Sequence, residues 1–187
     1  MTFTGSIPCE DCLRVDVVLN IRPDGIYQLR KTYVSEKGAS PVQSQMGKWL
    51  HEPKENLLIL GKEVGLLKTY IIEGQDRLRF VGWQGTENES QIQYELTSSS
   101  PPEVFDDVVK IRGLFGVENG VATLEECSSQ VRFPVSKRGD YPSAIQNYMN
   151  TPHDINRSIL ISILGKLVPG APEEIVIEQF RNCLLYT

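Results

Sequence analysis

Cys9-Glu10-Asp11-Cys12-Leu13-Arg14-Val15-Asp16-Val17-Val18-Leu19-Asn20-Ile21-Arg22-Pro23-Asp24-Gly25-Ile26-Tyr27-Gln28-Leu29 is the stretch that decides the fold. Two cysteines separated by two residues at the start of a helix would read as a redox pair, because the helix dipole stabilises a thiolate. The residues after Cys12 do not open a helix. Val15, Val17, Leu19 and Ile21 alternate with Arg14, Asp16 and Asn20, the period-two pattern of a half-buried strand. Pro23-Asp24-Gly25 then supplies a turn, since proline presets φ and glycine accepts φ > 0. Tyr27, Leu29 and Tyr33 resume the alternation with Gln28, Arg30 and Thr32 between them. The pair therefore belongs to a strand-turn-strand context.

The same rhythm runs on through the first half. Residues 35–41 are polar and predict a longer loop, and Gly47-Lys48-Trp49-Leu50 ends another strand. Strands follow at 57–60, 67–72, 78–81 and 92–96, with turn-forming residues at 52–56, 74–76 and 82–88. About eight short, evenly spaced strands predict an up-and-down barrel, whose closure removes exposed edges. Trp49 and Tyr27 fall in its core. Ser98-Ser99-Ser100-Pro101-Pro102 reads as a linker, because its prolines resist both helix and sheet. The expected domains are residues 1–98 and 103–187.

In the second half, 108–117 is a strand in which Gly113 and Gly116 suggest a bulge or tight bend. Short strands at 121–124 and 131–135 precede a helix that starts at Asp140-Tyr141-Pro142-Ser143, with Asp as cap and Pro in the first turn, and stops before Pro152. A long apolar strand at 158–168, a Pro169-Gly170 turn and a return strand at 175–180 complete the half. Five strands with one helix between the third and fourth is the order of an OB-fold. The chain is thus all-β: an N-terminal up-and-down barrel, then an OB-fold-like small barrel with one short helix.

A net charge of −5 opposes a nucleic-acid binder, which normally carries a basic face. The charge is spread evenly, with 11 basic and 13 acidic residues up to residue 97 and 8 and 11 after it. No apolar run approaches the ~20 residues that cross a bilayer as a helix. Residues 1–8 lack the basic and apolar regions of a secretion signal, which leaves a mature fragment with an added Met, or a cytosolic protein, as readings.

Four cysteines allow three pairings, and Cys9–Cys12 with Cys127–Cys183 is the one that respects a two-domain split. The four-residue ring would stabilise by less than about 2 kcal/mol, and the loop from 127 to 183 by roughly 4 kcal/mol. The second pair would be a staple; the first has little structural reason to be one. This pairing needs an oxidising compartment, and four unpaired thiols in a reducing one is the alternative.

Phe3-Thr4-Gly5-Ser6-Ile7-Pro8-Cys9-Glu10-Asp11-Cys12 resembles the opening of the bacterial NlpE family, the copper-homeostasis and envelope-stress lipoproteins. That opening reads aromatic-x-Gly-x-Leu-Pro-Cys-Ala-Asp-Cys, so Glu10 stands where the family has Ala. Residues 19–27, Gly47-Lys48-Trp49 and Leu78-Arg79-Phe80 extend the similarity. Ile111-Arg112-Gly113-Leu114-Phe115, Cys127, Phe133-Pro134-Val135 and Cys183 resemble the family's C-terminal domain. The resemblance implies a lipocalin-like N-terminal barrel, a C-terminal OB-fold and a lipid anchor on the periplasmic side of the outer membrane. It also implies copper handling, response to surface or envelope stress, and protein-contact signalling to an envelope stress sensor of the Cpx type.

The acidic residues between Cys9 and Cys12 disfavour thiolates, and no helix dipole helps, so a catalytic oxidoreductase is not expected. Thiolates suit Cu(I); two sulfurs suffice for linear Cu(I) but leave tetrahedral zinc two ligands short. His51, His153, Met46 or Met149 would have to be brought close to add ligands. Cys9 and Cys12 are therefore the redox or metal candidates, with Cu(I) the implied ion, and a plain stiffening disulfide is the bland alternative. No other catalytic motif is present. The sequons at 88–90 and 156–158 are chance-level patterns.

The leading expectation is a non-enzymatic envelope lipoprotein that senses copper, redox or envelope stress. A small-ligand carrier is a second class, since an eight-strand barrel can hold one small molecule unless Tyr27, Leu29 and Trp49 fill it. A peptide-binding module on the OB-like face is a third; a nucleic-acid role there sits badly with net −3 over 98–187. Two barrels on a short linker also permit a domain-swapped homodimer.

Overall fold

The computed structural model describes all residues except 8, 10, 37, 62–67, 84–93, 102, 155–156 and 184–187. The chain divides into two compact units, Met1–Phe105 and Asp106–Thr187.

The first unit is an eight-strand antiparallel barrel with strands in sequence order. They are β1 Thr2–Ile7, β2 Arg14–Ile21, β3 Ile26–Ser35, β4 Gly38–Glu52, β5 Leu57–Leu60, β6 Lys68–Glu73, β7 Arg77–Trp83 and β8 Tyr94–Ser98. The alternation read from sequence becomes the inward set. Val15, Val17 and Leu19 are buried, and Phe3, Leu29, Leu58, Leu78 and Leu96 join them. The barrel closes where β1 pairs β8, at Phe3↔Ser98 and Thr4↔Thr97. Gly5 lies at this seam, where a Cβ would sit 2.5 Å from the Glu95 carbonyl oxygen and 2.8 Å from Leu96. Its lack of a side chain is what lets β1 approach β8.

Tight turns gather at one end of the barrel. Gly25 takes φ +85° after Pro23-Asp24, as the turn requires. Trp49 donates its ring N–H to the Arg22 carbonyl at 2.8 Å there, packing partly buried against the core beside Tyr27. At the other end β1 stops at Ile7 and β2 starts at Arg14.

One sequence expectation fails in this unit. Residues 35–41 form no long loop: β4 starts at Gly38 and pairs back on β3 as far as Ser35↔Gly38. Ser35 and residues 38–41 are strand residues, and the strand is exposed at Pro41 and Val42, so it carries no alternation to read. The expected loop at 84–88, the sequon at 88–90 and the start of the strand expected at 92–96 lie outside the described residues, as does Leu67.

After β8 the chain stays on the first unit. Arg30, on the outer face of β3, pairs with Glu103 at 3.0 Å and stacks 4.7 Å over the Phe105 ring, which is buried.

The second unit is a five-strand barrel of β9 Val109–Glu118, β10 Val121–Glu126, β11 Arg132–Gly139, β12 Ile159–Val168 and β13 Glu174–Cys183, with α1 Tyr141–Asn150 between β11 and β12. Its strand order is β10-β11-β13-β12-β9, closed by β9 on β10. The third and fifth strands run parallel, at Val135↔Ile175, and the rest antiparallel. This is OB-fold-like connectivity. Phe115, Leu124, Ile161, Ile163 and Ile175 are among its fully buried core residues.

Gly113 and Gly116 make no bulge, because β9 pairs β10 through both, and β12 through Gly113, without a register shift. They make room instead: a Cβ on Gly113 would lie 2.6 Å from Leu124, and one on Gly116 would lie 2.7 Å from the Ser158 hydroxyl. Asp140 is the residue before the helix, as expected, yet its side chain does not cap a helix amide. Its carboxylate accepts from the Ser143 hydroxyl and from the Phe180 amide at 2.7 Å. Those bonds hold it below the usual carboxylate range.

Candidate functional site

Cys9 and Cys12 form a disulfide with a Cα–Cα distance of 5.2 Å, inside the normal range. It closes the connection between β1 and β2. Both residues are partly buried and pack against the barrel core beside Ile7 and Tyr33. Leu13 is 58% exposed, and its amide donates to the Val34 carbonyl at 2.8 Å, tying the loop to the end of β3. Pro8 and Glu10 of the motif lie outside the described residues.

The flank of the loop is electrostatic. Arg14 contacts Asp16 at 2.8 Å, and the Ser6 hydroxyl donates to the same carboxylate at 2.7 Å. The Arg14 and Ser6 hydrogen bonds hold Asp16 below its ordinary value. Cys12 Sγ lies 3.4 Å from the Arg14 carbonyl oxygen. In a reduced pair the Cys12 thiol would donate to that oxygen, which favours the neutral thiol over the thiolate. The geometry suits a slow, two-state disulfide better than a nucleophile.

The other soft ligands do not converge on the pair. Met46 faces outward on β4 opposite Gln28, and His51 sits opposite Leu58 toward the tight-turn end. His153 and Met149 belong to the second unit, where His153 stacks on Tyr148 and Met149 is 75% exposed. Among the described residues no group of three or more His, Cys, Asp or Glu could hold a metal. The donor set at the rim is two sulfurs, which when reduced fits two-coordinate Cu(I) and not tetrahedral zinc.

Cys127 is exposed and free, and burial with its acidic neighbours pushes its thiol above the ordinary value. Its amide donates to Arg112 on β9, whereas the Cys183 backbone stands opposite Ile161 on β12. The side chain of Cys183 lies outside the described residues, and the expected Cys127–Cys183 staple falls there with it.

A second feature escaped the sequence reading. Tyr27, Leu29 and Trp49 occupy the tight-turn end of the barrel, but a cavity of about 190 Å³ remains toward the other end. Ile7, Val17, Phe80 and Leu96 form its apolar wall, and Lys31, Lys68, Tyr70 and Tyr94 bring polar atoms to it. Lys68 is only 9% exposed. Burial, and then the neighbouring Lys31 ammonium, pull its pKa down to about 7. Burial also pushes the Tyr70 hydroxyl well above its ordinary value. The sequence signal was present: Lys31 occupies the inward phase of Tyr27-x-Leu29-x-Lys31-x-Tyr33.

Comparison with known proteins places these features in a family. The NlpE N-terminal domain family matches residues 3–91, the disulfide-bearing barrel. The chain is similar to Lipoprotein NlpE of Escherichia coli (strain K12), at 23% identity over 183 residues, which is 94% of this chain and 74% of that protein. It also aligns with the crystal structure of the Cpx pathway activator NlpE from Escherichia coli, at 19% identity and a TM-score of 0.40, over 96% of this chain and 94% of that one. The first barrel is thus matched by the NlpE N-terminal domain family along β1 to β7, and the sequence is similar to Lipoprotein NlpE through both units.

Proposed function

We propose that this protein is a bacterial envelope lipoprotein of the envelope-stress response, facing the periplasm from the outer membrane. In this reading it has no catalytic role. The Cys9–Cys12 pair is its responsive element, and its output is contact with another envelope protein, of the Cpx type that the resemblance implies. The observation that carries the reading is the disulfide set into the rim of the NlpE-family barrel, at a place where it does little for the fold. The similarity to a protein named Lipoprotein NlpE supports the envelope assignment.

Chemically, the pair has two states. Reduction by a thiol reductant breaks the S–S bond, takes up two electrons and two protons, and leaves two thiols on a loop anchored by Leu13 and Arg14. Once reduced, Cys9 and Cys12 would be the residues to hold Cu(I), whose soft charge would take the place of those protons. Either change alters the rim that a partner would meet.

The test uses the full chain, reduced and then desalted without oxygen. Cu(I) is expected to protect Cys9 and Cys12 from alkylation while Cys127 stays reactive. In cells, Cys9→Ser/Cys12→Ser is expected to blunt the stress response to copper or reductant. Equal labelling with and without Cu(I), together with an unchanged cellular response, would overturn the reading.

A further inference from the structure

Three aromatic rings meet on the inward face of the first barrel. Tyr70 on β6 stands opposite Phe80 on β7, and Phe80 opposite Tyr94 on β8. The Tyr70 and Phe80 rings meet edge to face with centroids 5.3 Å apart, and Phe80 and Tyr94 tilt together at 6.4 Å. All three line the cavity, and Ile7, Val17 and Leu96 add an aliphatic wall. A surface of rings favours a flat aromatic body, which can take edge-to-face or offset contacts that an aliphatic one cannot.

The same lining fixes the polar part of the ligand. Tyr70 is 6% exposed, and among the described residues its hydroxyl has no hydrogen-bond partner. Burial keeps that hydroxyl neutral, so it can donate or accept. A hydroxyl taken out of water without a partner is a standing cost, and a ligand hydroxyl placed against it removes the cost. Lys68 also lines the cavity but already has an interaction within the fold, so the ligand is not asked for a counter-charge. One polar group on an apolar body is the usual make-up of a small-molecule site. An apolar cavity of about 150 Å³ takes a benzene, so about 190 Å³ takes one ring with a small substituent. Two fused rings or a lipid chain are too large.

We propose that the lumen of the first barrel is a binding site for a small neutral phenol, its ring against Tyr70, Phe80 and Tyr94 and its hydroxyl bonded to that of Tyr70. The site uses neither Cys9 nor Cys12 and stands or falls apart from the stress-sensing reading.

The experiment is calorimetric titration of the full chain at pH 7 with p-cresol, toluene, cyclohexanol, benzoate and naphthol. At this pH p-cresol, the phenol of the tyrosine side chain, is neutral. It is expected to bind at least about threefold more tightly than toluene, which lacks the hydroxyl, and at least about threefold more tightly than cyclohexanol, which lacks the aromatic ring. Benzoate and naphthol are expected to show no saturable binding. Tyr70→Phe keeps the ring and removes the hydroxyl, and is expected to bring p-cresol down to the affinity of toluene while toluene itself is unchanged; a purely structural role would move both. Phe80→Leu is the second variant where the first does not fold, and is expected to weaken p-cresol and toluene alike and to leave cyclohexanol unchanged. Equal affinity for p-cresol and toluene, tighter binding of benzoate than of p-cresol, unchanged p-cresol affinity in both variants, or no p-cresol binding by a folded native protein would each overturn the proposal.

Discussion

Replacing Lys68 with Met removes the buried charge and keeps the length of the side chain. The ammonium that titrates at 10.5 in a free chain titrates at about 7 in the barrel. Each pH unit of such a difference is worth about 1.4 kcal/mol, so the charged form costs the folded state a ceiling of about 5 kcal/mol. The direction follows from linkage. The unfolded chain binds this proton more tightly than the folded one, so the cost is absent above about pH 10.5, grows as pH falls, and is complete below about pH 7. At pH 5.5 nearly the whole cost applies, and at pH 9 about 2 kcal/mol of it remains. The assay is urea unfolding at both pH values, followed by tryptophan fluorescence. Trp49 and Trp83 both lie in the first unit, so the signal reports that barrel alone. Lys68→Met is expected to be the more stable protein, with a gain larger by about 2–3 kcal/mol at pH 5.5 than at pH 9. A variant less stable than the native protein at pH 5.5, or a gain that does not change with pH, would refute the reasoning.

Two further outcomes follow from the barrel. Cys9→Ser/Cys12→Ser is expected to lower its stability by less than about 2 kcal/mol and to leave its far-ultraviolet circular dichroism unchanged, since the ring it opens has four residues; a loss of 4 kcal/mol or more in denaturant unfolding would show that the pair is structural. Gly5→Val places a side chain on the Glu95 carbonyl at the closing seam, and is expected to cost at least about 2 kcal/mol, seen as a melting temperature lower by roughly 10 °C; an unchanged melt would mean the β1–β8 seam is not what closes the barrel.

Much of this architecture could be read because burial and sequence share a period. Val15, Val17 and Leu19 alternate and are buried together, and Pro23-Asp24-Gly25 turns where its chemistry requires. The failures share a cause as well. The first part of β4 is exposed at Pro41 and Val42 and leaves no apolar trace. Gly113 and Gly116 looked like bends because sequence shows the missing side chain but not the Leu124 and Ser158 that occupy its space. Asp140 was legible as the residue before the helix. Its bond to the Phe180 amide, 40 residues on, belongs to the closed barrel and to no local pattern. At the candidate site the cysteine pair was plain. The lumen was not, because counting only apolar residues in the inward phase passes over Lys31.

The position of the disulfide bears on the sensing role proposed for it. β1 and β2 are joined by a continuous ladder from Thr2↔Asn20 to Ile7↔Val15. Past the ladder, the Leu13 amide is held by Val34 and the start of β2 by Arg14, Asp16 and Ser6. The barrel itself closes at the β1–β8 seam, which the sulfurs do not touch. Opening the bond therefore removes no strand pairing and little chain restraint. What changes is local: the two sulfurs at the rim gain protons, with the Arg14 carbonyl oxygen 3.4 Å from Cys12 Sγ to accept one. A pair that held the fold together would couple each redox event to unfolding. A pair placed where the fold does not need it can change state repeatedly while the barrel persists, so in the proposed sensing role its signal is a change in the surface that the rim presents to a partner.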